Sequence, residues 1–265
     1  MNGPILQCAI DVARLAGSIQ QRFRSEHGTV HIQDKGDTDI VTAVDTACES
    51  AIIDLISSRF PDHGILAEEG GARRLSARCV WIIDPLDGTK NYAHGSVRCG
   101  VSIGVQLDGD TVVGVIYAPF LDELFTATQD GGARCNDTLI SVSSNHDLHA
   151  CLIATALTFE KGSRKADRTQ LARILRMFST AQAVRSNGCA ALDMADVARG
   201  RIDAYFEPGL APWDTAAGAL LVAEAGGHVT TFDGHPHLPG APSIITSNGL
   251  IHAALREHLS AAVQP

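Results

Sequence analysis

Acidic residues recur where apolar runs of this sequence stop. Asp45 follows "DIVTAV", Glu68 and Glu69 follow "GILA", Asp84 and Asp87 close the run in "CVWIIDPLDGTKNYAHG" (79–95), and Asp214 opens "WDTAAGALLVAEAGG". A carboxylate at a buried strand end is costly unless something compensates it. Any one of these acids would serve as a cap or turn former, since Asp-Pro and Asp-Gly are ordinary turn dipeptides. Together they ask for a cation. Carboxylate and carbonyl oxygens without nearby His or Cys ligands suit a hard ion, Mg²⁺ before Zn²⁺. Three or four carboxylates exceed what one Mg²⁺ takes from protein, so two or more ions are expected, the clamp used for in-line phosphoryl displacement.

The residues after Asp87 add an anion site. Gly88 and Thr89 open a helix whose free backbone N–H groups face a phosphate, and Thr89 contributes a hydroxyl. The chain has neither G-x-x-x-x-G-K-[ST] nor G-x-G-x-x-G, so a carboxylate pair beside a helix start points to a phosphatase and not a nucleotide cradle. Glu69 neighbours Glu68 and turns the other way if the strand pleat persists. Lys35 is placed to balance charge near Asp45, or is simply solvated. His235 and His237 sit in a Gly/Pro loop and read as solvated.

Elements must carry these side chains to one place. "ILQCAIDVARLAGSIQQRF" is an amphipathic helix with Ile5, Ala9, Val12, Ala16, Ile19 and Phe23 on one face, not a signal peptide. A second helix follows Asp45 and stops before Pro61. "GILAEEG", "CVWIID", "VRCGVSIGVQL", "TVVGVIYA" and "ELFTAT" read as strands, with Asp108-Gly109-Asp110 marking a hairpin. Residues 1–140 thus form an α+β half of two helices and an antiparallel sheet, carrying most of the proposed ligands. Residues 141–265 alternate helix and strand as an α/β half that carries Asp214 and the substrate pocket, and the two halves are expected to make one compact unit. A helix over 166–179, another closed by Gly200, a third ending at Gly226-Gly227 and a last one from Leu250 are expected. The polar stretch 160–170 reads as a mobile surface loop.

Composition excludes several classes. The 265 residues carry a formal net charge of -9, which disfavours nucleic acid and anionic membranes as partners. It does not disfavour an anionic small substrate if metal ions reverse the sign locally. No apolar run approaches membrane-spanning length. Seven scattered cysteines without a C-x-x-C pair read as buried free thiols of a cytoplasmic protein.

"WIIDPLDGTKNYAHG" resembles the D-P-[IL]-D-G-T signature of the inositol monophosphatase family, and "WDTAAGALLVAEAGG" resembles its W-D-x-A-A-G signature. "DIVTAVD" and "ILAEEGG" precede them in the family's order, and "RSNGCAALDMADVARGRIDAYFEPGLAPWD" is similar to the bacterial inositol-phosphatase branch. The resemblance implies a layered αβαβα fold, a homodimer, and Mg²⁺-dependent, lithium-sensitive hydrolysis of phosphomonoesters. By position, Glu68, Asp84 and the Leu86 carbonyl would hold a first ion and Asp84, Asp87 and Asp214 a second. Glu68 would face a third, weaker ion through water. Thr89 paired with Asp45 resembles the dyad that orients and deprotonates the attacking water. Asp87, Gly88, Thr89 and Asp214 would meet the phosphate end of the substrate, while Gly188, Cys189, Ala190 and Glu207 line the pocket for the rest. Departures from the pattern are Ala67 for a common Gly, Cys189 for a frequent Thr, and "HGSVRCG" (94–100), which places the pocket wall in question. The expected substrate is inositol 1-phosphate or a similar small polyol phosphate. Histidinol phosphate, fructose 1,6-bisphosphate and 3'-phosphoadenosine 5'-phosphate are rivals. A non-catalytic metal-binding module is the rival of another class, and the intact Thr89–Asp45 pair argues against it.

Overall fold

Helix α1 (Gly3–His27) buries Ala9, Val12 and Ala16 and packs Ile5, Ile19 and Phe23 partly, the face its periodicity predicts. The computed structural model describes residues 3–27, 32–34, 40–157 and 167–261, so Lys35 and residues 160–166 of the expected loop lie outside the described residues. Strands β1 (Ile32–Asp34) and β2 (Ile40–Thr42) pair antiparallel and lead into α2 (Ala43–Arg59). Strands β3 (Gly64–Ala67), β4 (Gly71–Arg73) and β5 (Cys79–Asp87) follow, then the short helix α3 (Thr89–Ala93). Strands β6 (Gly100–Leu107), β7 (Asp110–Ala118), β8 (Glu123–Thr128), β9 (Gly132–Cys135) and β10 (Thr138–Leu139) complete an eight-stranded sheet ordered β10-β9-β8-β7-β6-β5-β3-β4.

The β6–β7 hairpin turns on Asp108 and Gly109 at φ 54° and 96°. Both are left-handed, as a tight two-residue loop requires. The sheet departs from the antiparallel expectation at one pairing, because β3 and β5 run parallel. The reason is local: β4 folds back along the outer edge of β3, so β5 re-enters in the direction of β3.

Strands β11 (Leu152–Thr155), β12 (Ala183–Arg185), β13 (Ala204–Pro208), β14 (His228–Thr230) and β15 (Ser243–Ser247) form a second sheet ordered β12-β11-β13-β15-β14. They alternate with α4 (Arg168–Thr180), α5 (Ala190–Ala198), α6 (Pro212–Glu224) and α7 (His252–Ala261). Asp167 starts α4 by accepting from the Thr169 and Gln170 N–H groups.

Apolar faces stack these elements into layers. Helices α1 and α2 cover one face of the large sheet, α5 and α6 fill the space between the sheets, and α4 and α7 cover the outer face of the small sheet. This is the αβαβα order. It brings the starts of α5 and α6, from the second half of the chain, against the large sheet of the first. Among the described residues no helix is long and apolar enough to cross a membrane, and all seven cysteines are free and buried.

Candidate active site

The apolar run of β5 ends in an irregularity, not a clean stop. Asp84 pairs with Ser102 and Asp87 with Gly100, so β5 spends three steps where β6 spends two. In a regular pleat, residues three apart face opposite sides of the sheet. The extra residue of a bulge removes that alternation and turns both carboxylates towards one place. The bulge is held by the Leu86 N–H donating to Asp84 Oδ1 at 2.9 Å and by the buried Gln20 of α1 donating to the Pro85 carbonyl at 2.9 Å. Pro85 has no N–H to lose there.

Two helix starts complete the cluster. Asp87 Oδ2 accepts from the Ala191 N–H at 2.6 Å and from the Cys189 thiol at 3.1 Å, so it does the capping that Cys189, at the N-cap of α5, does not. Asp214, in the first turn of α6, accepts from the Ala211 N–H at 2.7 Å. Asp84, Asp87 and Asp214 therefore each spend one oxygen on backbone, which fixes the carboxylate and leaves the other oxygen to offer. Among the described residues none of them, nor Glu68, forms an ion pair.

Without a cation every carboxyl of the cluster is shifted towards its protonated form. Burial, then repulsion from Glu68, Asp87 and Asp214, raises the Asp84 carboxyl well above its ordinary range. Asp87 is raised by burial, against the pull of the Ala191 N–H and the Cys189 thiol. Burial and then the Asp87 charge push Asp214 up to about 7. Glu68 is exposed at the rim, yet enough protein surrounds its carboxyl that desolvation, followed by Asp214 and Asp45, raises it to about 8. Among the described residues no three acidic, His or Cys side chains already stand around one ion position. The donor set is nonetheless all oxygen, tethered and uncompensated, which is the chemistry a hard divalent ion answers.

Thr89 begins α3 behind this cluster. Its hydroxyl lies 3.0 Å from the Leu86 carbonyl and 3.4 Å from Oδ1 of the buried Asp45 on α2. Gly88 precedes it at φ 83°, and a Cβ there would stand 2.9 Å from the Arg98 carbonyl and 3.2 Å from Cys189 Cβ. Only glycine fits.

A cleft of about 340 Å³ opens beside the cluster, lined by Asp87, Gly188, Cys189, Ala190, Glu207 and Asp214 among others. Glu207 is buried at its far end, where Tyr205 Oη donates to Oε2 and leaves Oε1. Burial raises Glu207 to about 8, with Tyr205 opposing and the Asp214 and Asp87 charges adding to the rise.

Some site residues escaped the sequence reading. Lys90, inside the quoted motif, is the only cation among the described residues lining the cleft. Glu49 on α2 accepts from the Glu69 N–H at 2.8 Å; its one signal was an acid sharing a helix face with Asp45, Ile52, Ile53 and Ile56. The pleat invoked to turn Glu69 away ends at Ala67, and residues 68–70 form a turn instead. Residues 94–100 are not among the described residues lining the cleft; Arg98 reaches α5, bonding Asp193 at 2.7 Å and Asp196 at 2.6 Å. His235 is exposed as expected, but His237 is half-buried, its Nδ1 3.2 Å from the Ser243 carbonyl.

The inositol monophosphatase family model matches residues 1–264. Nus factor SuhB of Escherichia coli K12 is 39% identical over 266 residues, spanning 98% of this chain and 99% of that protein. The crystal structure of extragenic suppressor protein suhB from Bartonella henselae superposes with a TM-score of 0.91 at 36% identity, over 97% of this chain and 98% of that one. An inositol monophosphatase from Anabaena superposes at 0.86 with 37% identity, over 97% and 96%.

Proposed function

Since this chain belongs to the inositol monophosphatase family, we propose that it is a Mg²⁺-dependent phosphomonoesterase acting on inositol 1-phosphate or a similar small polyol phosphate. The observation that carries the reading is the set of carboxylates from separate elements, fixed by backbone N–H groups and, among the described residues, paired with no basic side chain, beside a hydroxyl–carboxylate pair at a cleft. Glu68, Asp84 and the Leu86 carbonyl would hold one ion, Asp84, Asp87 and Asp214 a second, and Glu68 a third through water. When bound, Mg²⁺ supplies the positive charge this cluster lacks and the polarisation that makes water a nucleophile at neutral pH.

The chain's own residues do the rest. Asp45 and Thr89 orient the attacking water and take its proton. The backbone of Gly88 and Thr89 receives the phosphate at the start of α3, where the chain approaches closely because Gly88 has no side chain. Lys90 adds a positive charge to the cleft. Glu207 Oε1 accepts from a substrate hydroxyl, with Oε2 already occupied by Tyr205. A cytoplasmic homodimer and lithium sensitivity accompany this reading.

The test is phosphate release with and without Mg²⁺ from inositol 1-phosphate, histidinol phosphate, fructose 1,6-bisphosphate and 3'-phosphoadenosine 5'-phosphate. Mg²⁺-dependent release, fastest from inositol 1-phosphate, is expected. Preference for another ester would move the substrate assignment. Thermal stabilisation by Mg²⁺ without release from any of them would leave the acids as a structural metal site.

A further inference from the structure

Glu49 is an acid with only 4% exposure that the chemistry above does not use. It lies on α2 one helical turn after Asp45, so both side chains share a face of that helix. Its Oε2 accepts from the Glu69 N–H at 2.8 Å, and the Gly70 N–H also bonds this carboxylate. The fit is close: a Cβ on Gly70 would stand 2.5 Å from Glu49 Oε1.

What Glu49 grips is the turn that carries Glu68. On one side Glu68 is tied to the sheet by its own N–H, 3.3 Å from the Ile83 carbonyl. On the other, the chain leads into β4, whose residues are all exposed and give the turn no apolar anchor. The Glu49 carboxylate supplies the missing tether immediately after Glu68. We propose that Glu49 is a positioning residue: it sets the Glu68 carboxylate for the ion Glu68 would hold, and it joins the Asp45 helix and the Glu68 turn into one rigid unit. The proposal rests on the phosphatase reading and adds to it a residue that touches neither substrate nor ion. Groups that orient a ligand from behind typically change metal affinity by roughly 10–100-fold when removed.

Glu49→Ala, Glu49→Gln and Gly70→Ala test it with two readouts. One is the Mg²⁺ concentration giving half the maximal rise in melting temperature without substrate; the other is the Mg²⁺ concentration for half-maximal phosphate release, with kcat at saturation. Glu49→Ala and Gly70→Ala, the latter by pushing the carboxylate off the turn, should raise both midpoints roughly 10–100-fold while saturating Mg²⁺ restores most of kcat. Glu49→Gln keeps an acceptor for the Glu69 N–H and should return the midpoints to within a few fold of wild type. Combining Glu49→Ala with Gly70→Ala should be no worse than Glu49→Ala alone, because the clash is gone. If Glu49→Ala does not fold, Gly70→Ala in the exposed turn decides. Variants that melt earlier but keep wild-type Mg²⁺ midpoints overturn the proposal and leave Glu49 a plain structural clamp. A wild-type protein that ignores Mg²⁺ in both readouts instead overturns the phosphatase reading, and this inference with it.

Discussion

Helix α5 touches two acid-rich regions that handle charge in opposite ways. Along its length, Asp193 and Asp196 are bridged by Arg98, Arg201 bonds Asp196 at 3.1 Å, and Arg199 and Arg201 both reach Glu123. There the Arg201 hydrogen bond holds Glu123 below its ordinary range. At the start of the same helix, Asp87 belongs to a group in which, among the described residues, no arginine pairs with any member, and Asp84, Asp87, Asp214 and Glu68 are all raised. Asp193 falls between, raised by burial to about 7 although Asn187 and Arg98 pull it down. A fold that needed acids at the β5 end only as mortar had the means to pair them, since it does so a few ångströms of helix away. Acids left unpaired in this way are the ones that a cation from solution would stabilise, as the proposed function requires.

The widest gap between the two regions should appear on neutralising one acid of the unpaired group. Asp87→Asn keeps an oxygen for the Ala191 N–H, so α5 should stay docked and the metal-free protein should melt no earlier than wild type. Turnover at saturating Mg²⁺ should fall by about 10²–10³ or more, the scale of removing one preorganised electrostatic contact. Phosphate-release rates with a melting curve on the same sample check both halves; near wild-type turnover would make Asp87 an ordinary cap. The converse experiment turns the paired region into the unpaired one. Arg98→Ala takes the bridging arginine from the buried Asp193, while Asp196 keeps Arg201, and should cost about 3–5 kcal/mol in urea unfolding. Adding Asp193→Asn should recover part of that loss. No recovery would mean that the arginine acts through packing of its stem.

How much of this was legible beforehand depended on range. Asp84, Asp87, Gly88 and Thr89 fall within one short stretch, so a joint role could be proposed from residue types alone. The αβαβα order followed from the resemblance alone; the helix and strand periodicities, which are local, gave only an α+β half and an α/β half. That Asp84 and Asp87 share a side was not legible, because period-two alternation predicts the opposite and the bulge depends on pairing with β6. Where Arg98 ends was not legible for a similar reason. Its partners lie 95 and 98 residues away on α5, and nothing local says where a long side chain ends. Glu49 looked like any helix acid until the turn at 68–70 was placed against it. The pleat argument at Glu69 failed because the strand ends at Ala67, just before the acid pair.

A smaller difference should emerge from pH. Asp214 and Glu207 start from ordinary values of 3.8 and 4.5 and reach about 7 and about 8 in the folded, metal-free protein. Between those values the folded chain holds protons that the unfolded chain has released. Rising pH therefore favours unfolding: the contribution is complete below about pH 4 and is lost as pH climbs through about 7–8. In EDTA the melting temperature should fall from pH 5 to pH 8, whereas Mg²⁺, displacing protons from Asp214 and its neighbours, should flatten the slope. Glu123, held by two arginines, gives no such response, because it is shifted the other way, whereas the buried Asp193 adds to the slope. A metal-free melting temperature that rises with pH across this window would show that the acid group is not short of positive charge.

The finest distinction lies inside the cleft, between acids that serve the metal and the one assigned to the substrate. Phosphate and metal contacts are common to every ester the site accepts, so discrimination must come from groups that meet the remainder of the molecule. Glu207 is placed for that task. Tyr205 occupies Oε2 and fixes the carboxylate plane, and Oε1 is left for a hydroxyl. Cations on Asp87 and Asp214 would also relieve the repulsion that helps raise Glu207, leaving it a better acceptor when substrate binds. Glu207→Gln keeps the bond from Tyr205 and nearly the same shape while removing the charge. It should lower kcat/KM for inositol 1-phosphate more than for p-nitrophenyl phosphate, which has no hydroxyl to offer. The difference should be about 1–3 kcal/mol, the worth of a hydrogen bond to a charged group. Parallel losses on the two esters would place Glu207 with the metal-holding acids after all, and the line drawn here between metal and substrate carboxylates would have to move to the other side of Tyr205.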